Sequence, residues 1–124
     1  YKRDMKKILI ADDEHKIIMT LEYAFKKAGY EVFIARDGSE VLELLKNEIP
    51  DMILLDIMMP QMNGLDVLEK LKEINSDQKV IMMTAYSTLD KVLKSHKIGA
   101  TNYVMKPFSS LDSLEKKVIE VLEA

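Results

Sequence analysis

The amino-acid sequence predicts an α/β domain in which a parallel sheet is covered by helices on both faces. Three observations carry this. Five short apolar runs rich in β-branched residues alternate with longer segments of helical period. Several of the runs are apolar throughout, as strands buried on both faces must be. The length, 124 residues, is that of one domain, and 48% apolar residues supply its core. Residues 1–124 read as a single unit, with no internal repeat, low-complexity tract or linker.

Lys7 to Ala11 is the first strand, and the helix after it carries Ile17, Ile18, Leu21, Ala24, Phe25 and Ala28 at helical spacing, closed by Gly29. Glu31 to Ala35 is a second strand, less uniformly apolar and so placed at an edge. Asp37 caps a second helix with Val41, Leu44 and Leu45 on its inner face and Leu42 alongside, ended by Ile49-Pro50. Met52 to Leu55 is the most apolar strand, leads directly into Asp56, and belongs at the centre. A loop over residues 57–63 precedes a third helix opened by Gly64, with Leu65, Leu68, Leu71 and Ile74 as its stripe. Lys79 to Met83 forms the fourth strand, ending at Thr84. A weakly amphipathic fourth helix follows from about Ser87 to Ile98, with Leu89, Val92, Leu93 and His96 among lysines. Asn102 to Met105 is a short fifth strand, and the last helix places Leu111, Leu114, Val118 and Val121 on one face. Right-handed crossovers then fix most of the topology.

Composition removes several function classes. With 18 basic against 21 acidic side chains and a net charge of -3, no bulk field draws in a nucleic acid. The chain has no cysteine, which excludes disulfides and thiolate metal sites. Its longest apolar runs are too short to span a bilayer, and no signal peptide is evident, so the expectation is a cytoplasmic protein without membrane association.

Ligands of open parallel sheets bind beyond the carboxyl ends of the strands. There the sequence places Asp12, Asp13 and Glu14 after strand one, Asp56 after strand three, Thr84 after strand four, and Lys106-Pro107 after strand five. Clustered carboxylates oppose one another's ionisation unless a cation joins them. Asp12, Asp13 and Asp56 suit Mg2+, which prefers oxygen ligands, and no histidine or cysteine nearby favours a softer metal. With a lysine and a threonine hydroxyl beside it, such a site has the parts for phosphoryl transfer, and Asp56 is the candidate nucleophile. Taken singly, each residue has a plainer role. Asp13 or Asp37 alone suits a helix cap, Thr84 a turn, Lys106 a solvated surface and Tyr103 strand packing. His15 and His96 share no ligand spacing, most methionines lie in apolar runs, and Lys91, Lys94 and Lys97 form a solvated face that could also meet an acidic partner.

The residues together carry a family resemblance. Asp12-Asp13-Glu14, the run Asp56-Ile57-Met58-Met59-Pro60-Gln61-Met62-Asn63-Gly64, Thr84-Ala85, and Tyr103-Val104-Met105-Lys106-Pro107-Phe108 follow one another at successive strand ends. In this the chain resembles, essentially end to end, the response regulator receiver domain of two-component signalling. The resemblance implies a flavodoxin-like sheet of order 2-1-3-4-5. It implies phosphorylation of Asp56 by a histidine kinase phosphohistidine, and Mg2+ held by Asp13, Asp56 and the Met58 carbonyl, with Asp12 acting through water. Lys106 and Thr84 would contact the phosphoryl group, and Thr84 with Tyr103 would form a switch pair that alters the surface of helix 4, strand 5 and helix 5. The Lys106-Pro107 bond is expected to be cis. The partners implied are a sensor histidine kinase or phosphotransfer protein, and a second copy or downstream target at the switched surface.

The domain would then catalyse only its own phosphorylation and dephosphorylation, and bulky Met58 and Tyr86 beside the site predict a long-lived phosphorylated form. A Mg2+-dependent aspartyl-nucleophile phosphatase is the main alternative, but it places a second acid two residues after the nucleophile, where this chain has Met58. A flavin or nucleotide site would need a Gly-rich loop after strand one, where the acids stand instead. A degenerate receiver acting without phosphate is disfavoured by the intact acids and lysine. No helix-turn-helix or catalytic domain follows helix five within these residues, leaving open a stand-alone receiver or one excised from a longer regulator.

Overall fold

Strands form where the apolar runs lie, because only a sheet enclosed on both faces can bury every side chain of such a run. The computed structural model describes residues 5–85, 89–106, 108 and 110–124. Among them are strands β1 (Lys7–Ala11), β2 (Glu31–Ala35), β3 (Met52–Asp56), β4 (Val80–Thr84) and β5 (Asn102–Met105). The helices are α1 (His15–Lys27), α2 (Gly38–Leu44), α3 (Gly64–Ile74), α4 (Leu89–Ile98) and α5 (Leu111–Glu123). The strands pair in parallel in the order β2-β1-β3-β4-β5, the flavodoxin-like arrangement expected. Every residue of β3 and β4 is buried, whereas β2 and β5 are partly exposed edges.

Side chains alternate across a strand and so divide the core in two. Leu9, Ile53, Leu55, Val80 and Met82 face Val41 of α2 and Val67, Leu68 and Leu71 of α3. Ile8, Ile10, Leu54, Ile81 and Met83 face Leu21 and Phe25 of α1 and Leu114, Val118 and Val121 of α5. Each large aliphatic side chain so buried contributes about 1.5–3 kcal/mol. Polar side chains start three helices: Asp37 Oδ1 accepts from the Glu40 N–H at 2.9 Å, Asn63 Oδ1 from that of Asp66 at 3.0 Å, and Ser110 Oγ from that of Ser113 at 3.0 Å. Glu14 occupies the same position before α1 without capping it.

At the amino ends of the strands, buried Gln78 donates its amide N–H groups to the carbonyls of Pro50 (3.0 Å) and Lys79 (3.2 Å), tying the entries of β3 and β4 together.

Some expected details differ. α2 stops at Leu44 rather than reaching Ile49, because the chain tightens there, with Asn47 and Glu48 both donating to the Leu44 carbonyl. Val67 rather than Ile74 completes the buried stripe of α3, and Ile74 is exposed. Among the described side chains of α4, which do not include that of Leu89, the buried one is Ser95, whose hydroxyl donates to the Val92 carbonyl at 2.8 Å, while Leu93 is exposed. β4 spans Val80–Thr84, starting one residue later than expected, and the Lys79 ammonium reaches the carbonyls of Leu122 and Ala124 at the end of α5.

Candidate functional site

Because all the strands run the same way, their carboxyl ends meet at one edge, and ladder bonds fix the backbone there. Asp12 N–H donates to the Ala35 carbonyl (3.1 Å), Ile57 N–H to that of Met83 (2.9 Å) and Lys106 N–H to that of Thr84 (2.7 Å). The structure thereby brings Asp12, Asp56 and Lys106 into contact and buries all three, with Thr84 buried at the end of β4. The Lys106 ammonium lies 2.5 Å from Asp12 Oδ2, 3.0 Å from Glu14 Oε1 and 3.3 Å from Asp56 Oδ2. Glu14, exposed at the α1 start, thus pairs with the lysine in place of capping its helix. Each buried acid also accepts a backbone N–H two residues on, Asp12 Oδ1 from Glu14 (2.9 Å) and Asp56 Oδ1 from Met58 (3.0 Å).

Electrostatics make the cluster incomplete. Burial, reinforced by the neighbouring Asp12 charge, pushes the Asp56 carboxyl up to about 6, against the opposing pull of Lys106 and the Met58 N–H. Burial alone would lower the Lys106 pKa, but its contacts with Asp12 and Glu14 and the charge of Asp56 outweigh that and hold the ammonium above its ordinary value. Among the described residues, buried Asp12 Oδ2 has no well-aligned hydrogen-bond donor, and Lys106 meets it as a close ion pair. One carboxylate oxygen each from Asp12, Asp13 and Asp56 lies within 4.8 Å of the others, with Asp13 exposed. Such a set of hard oxygen donors, one with no well-aligned donor among the described residues, could hold a divalent cation.

Gly64 has a role the sequence reading missed. A Cβ there would stand 2.2 Å from the Asp56 carbonyl oxygen, so only glycine lets the start of α3 press against the backbone of the acid, and the Gly64 N–H donates to the Ile57 carbonyl at 2.7 Å. No periodicity reveals a close approach of this kind.

The remaining expected residues lie around the rim. Met58 is 49% exposed, and the Lys91 ammonium of α4 rests 3.2 Å from its sulfur. Tyr103 is 44% exposed, its ring outward beside a hollow of about 510 Å³ between β5 and α5 that Phe108, Leu114 and Lys117 also line. Tyr86 and Pro107, and with them the expected cis Lys106-Pro107 bond, lie outside the described residues. No described helix is long and apolar enough to cross a membrane.

Comparison with known proteins places this edge in a family. Residues 8–119 match the model for the response regulator receiver domain. Sporulation initiation phosphotransferase F of Bacillus subtilis (strain 168) is 38% identical over 117 residues, covering 94% of this chain and 94% of that protein. Alkaline phosphatase synthesis transcriptional regulatory protein PhoP of the same organism is 41% identical over 105 residues, which are 84% of this chain but only 43% of the relative. A solved response regulator receiver domain protein (CheY-like) from Methanospirillum hungatei JF-1 superposes with a TM-score of 0.89 at 37% identity, over 97% of this chain and 96% of the other. With the strand order, the acidic edge and these matches in agreement, the chain belongs to the response regulator receiver domain family.

Proposed function

We propose that this signalling receiver takes a phosphoryl group onto Asp56 from a phosphohistidine of a sensor kinase or phosphotransfer protein. The observation that carries the reading is the Lys106 ammonium 3.3 Å from Asp56 Oδ2, a fixed cation beside the oxygen that must attack. In the transfer, an Asp56 carboxylate oxygen bonds to phosphorus as the phosphorus–nitrogen bond breaks, and the electron pair leaves with the imidazole, which takes up a proton from solvent. Lys106 neutralises charge on the phosphoryl oxygens, and the Thr84 hydroxyl donates to one of them. Asp12, Asp13, Asp56 and the Met58 carbonyl are the proposed Mg2+ ligands, Asp12 through water. The ion would screen the acids and polarise the phosphoryl oxygens.

Thr84 and Tyr103 are the proposed switch pair. The outward Tyr103 ring and the hollow beside it support a surface of α4, β5 and α5 that differs between the two states and receives a second copy or a target protein. The domain then acts in the cytoplasm and catalyses only its own phosphorylation and hydrolysis. Met58, which offers no acid or amide to orient an attacking water, supports a long-lived phosphorylated form.

Incubation with magnesium and acetyl phosphate, followed by intact mass measurement, tests this. A single base-labile phosphoryl adduct on the wild type, absent from Asp56→Asn, is the expected result. Sustained turnover of the donor would restore the phosphatase reading, which the missing acid at Met58 disfavours.

A further inference from the structure

We propose that Lys91 is a second phosphoryl-binding cation, carried by α4 and released from Met58 to the anion once it forms on Asp56. The starting contact is weak. The Lys91 ammonium rests 3.2 Å from the Met58 sulfur, and a thioether is a poor acceptor. No acidic partner for Lys91 is found among the described residues. Met58 in turn is bound to the acid, its backbone N–H donating to Asp56 Oδ1 at 3.0 Å. The ammonium is thus linked to the carboxylate through a single residue, Met58, while Lys106 approaches Asp56 through the other oxygen, Oδ2.

Phosphorylation turns the Asp56 carboxylate into an acyl phosphate with close to two negative charges, a net gain of about one, spread over three strong acceptor oxygens that reach further from the backbone. A flexible lysine whose present contact is a thioether has little to lose by turning to them. The two cations differ in what they report. Lys106 is paired with three acids before any phosphate arrives, so its position changes little. Lys91 exchanges one partner for another and draws on the first turns of α4 as it does so. The inference rests on phosphorylation at Asp56, and its test separates the two.

The test is a fluorine NMR titration with beryllium fluoride, a phosphoryl mimic, at saturating magnesium, on the wild type, Lys91→Ala, Lys91→Arg and Lys94→Ala. Lys94 is an exposed α4 lysine one turn along and controls for bulk charge. Loss of one solvent-accessible ionic contact predicts about two- to fivefold weaker binding for Lys91→Ala. Wild-type affinity is expected for Lys94→Ala, and rescue to within about twofold for Lys91→Arg, since arginine keeps the charge. The Lys91→Ala difference should shrink in high salt, which screens an exposed pair. Unchanged binding in Lys91→Ala, or an equal loss in Lys94→Ala, overturns the inference while leaving Asp56 as acceptor. Failure of the wild type to bind the mimic would instead remove the phosphorylation reading, and the inference with it.

Discussion

Lys106 and Asp56 lie 50 positions apart in the chain, yet the ammonium of one stands 3.3 Å from a carboxylate oxygen of the other, both enclosed by protein. The lysine divides its charge among three acids, and among the described residues it is the one cation paired with Asp12 and Asp56. The balance of that group sets the expectations below.

Asp56 carries a stability penalty that depends on pH. Its folded pKa of about 6 stands above the ordinary 3.8, so between those values the folded protein holds more protons than the unfolded chain. Stability of the metal-free protein therefore falls as pH rises through that window and levels off above it. The ionised group then costs up to about 3 kcal/mol. Asp56→Asn should be the more stable form by about 2–3 kcal/mol at pH 8, with the difference vanishing near pH 4. Urea denaturation across that range measures it, and a variant no more stable than the wild type at pH 8 would refute the assignment of strain to this carboxyl.

Magnesium should relieve the same strain. At about ten times its dissociation constant, a bound ion adds roughly 1.4 kcal/mol and raises the melting temperature by a few degrees. Asp13→Asn, altering an exposed residue, should leave metal-free stability within about 0.5 kcal/mol of the wild type yet lose most of the magnesium response. Thermal melts with and without the ion check both halves.

Lys106→Ala removes the cation and leaves two buried acids facing each other. A loss of about 3 kcal/mol is expected without metal, partly recovered with magnesium. Glu14→Gln breaks a contact with the same ammonium, but from an exposed position, and should change stability by less than about 1 kcal/mol. Equal effects of the two substitutions in chemical denaturation would show that burial is not what sets their strength.

Gly64→Ala places a methyl group where only 2.2 Å separates it from the Asp56 carbonyl oxygen. Since that neighbour is backbone of the central strand, relief requires α3 to shift, at a cost of about 1–3 kcal/mol or more. The phosphorylation rate should fall as well, because the displaced backbone carries the proposed acceptor, Asp56. Denaturation midpoints and acetyl phosphate labelling report the two effects separately.

The strands were legible because burial on both faces leaves an unbroken apolar run, as in Met52–Leu55. The acids and Lys106 were legible because parallel strands bring their carboxyl ends together whatever the loops do. Where the reading strayed, hydrophobic period was not the deciding quantity. Ser95 is buried because its hydroxyl bonds within its own helix. Ile49 is exposed because α2 tightens and stops early. Glu14 on Lys106, Gly64 on Asp56 and Lys91 on Met58 are contacts between distant or irregular segments, and nothing in local spacing encodes them.

The amide of Gln78 fastens the entries of β3 and β4 to each other at the end of the sheet away from the acids. That tie consists of neutral hydrogen bonds, indifferent to how much charge accumulates on the opposite rim. A molecule gripping it would register how many copies of the domain exist, whereas one gripping the rim would register how many are charged.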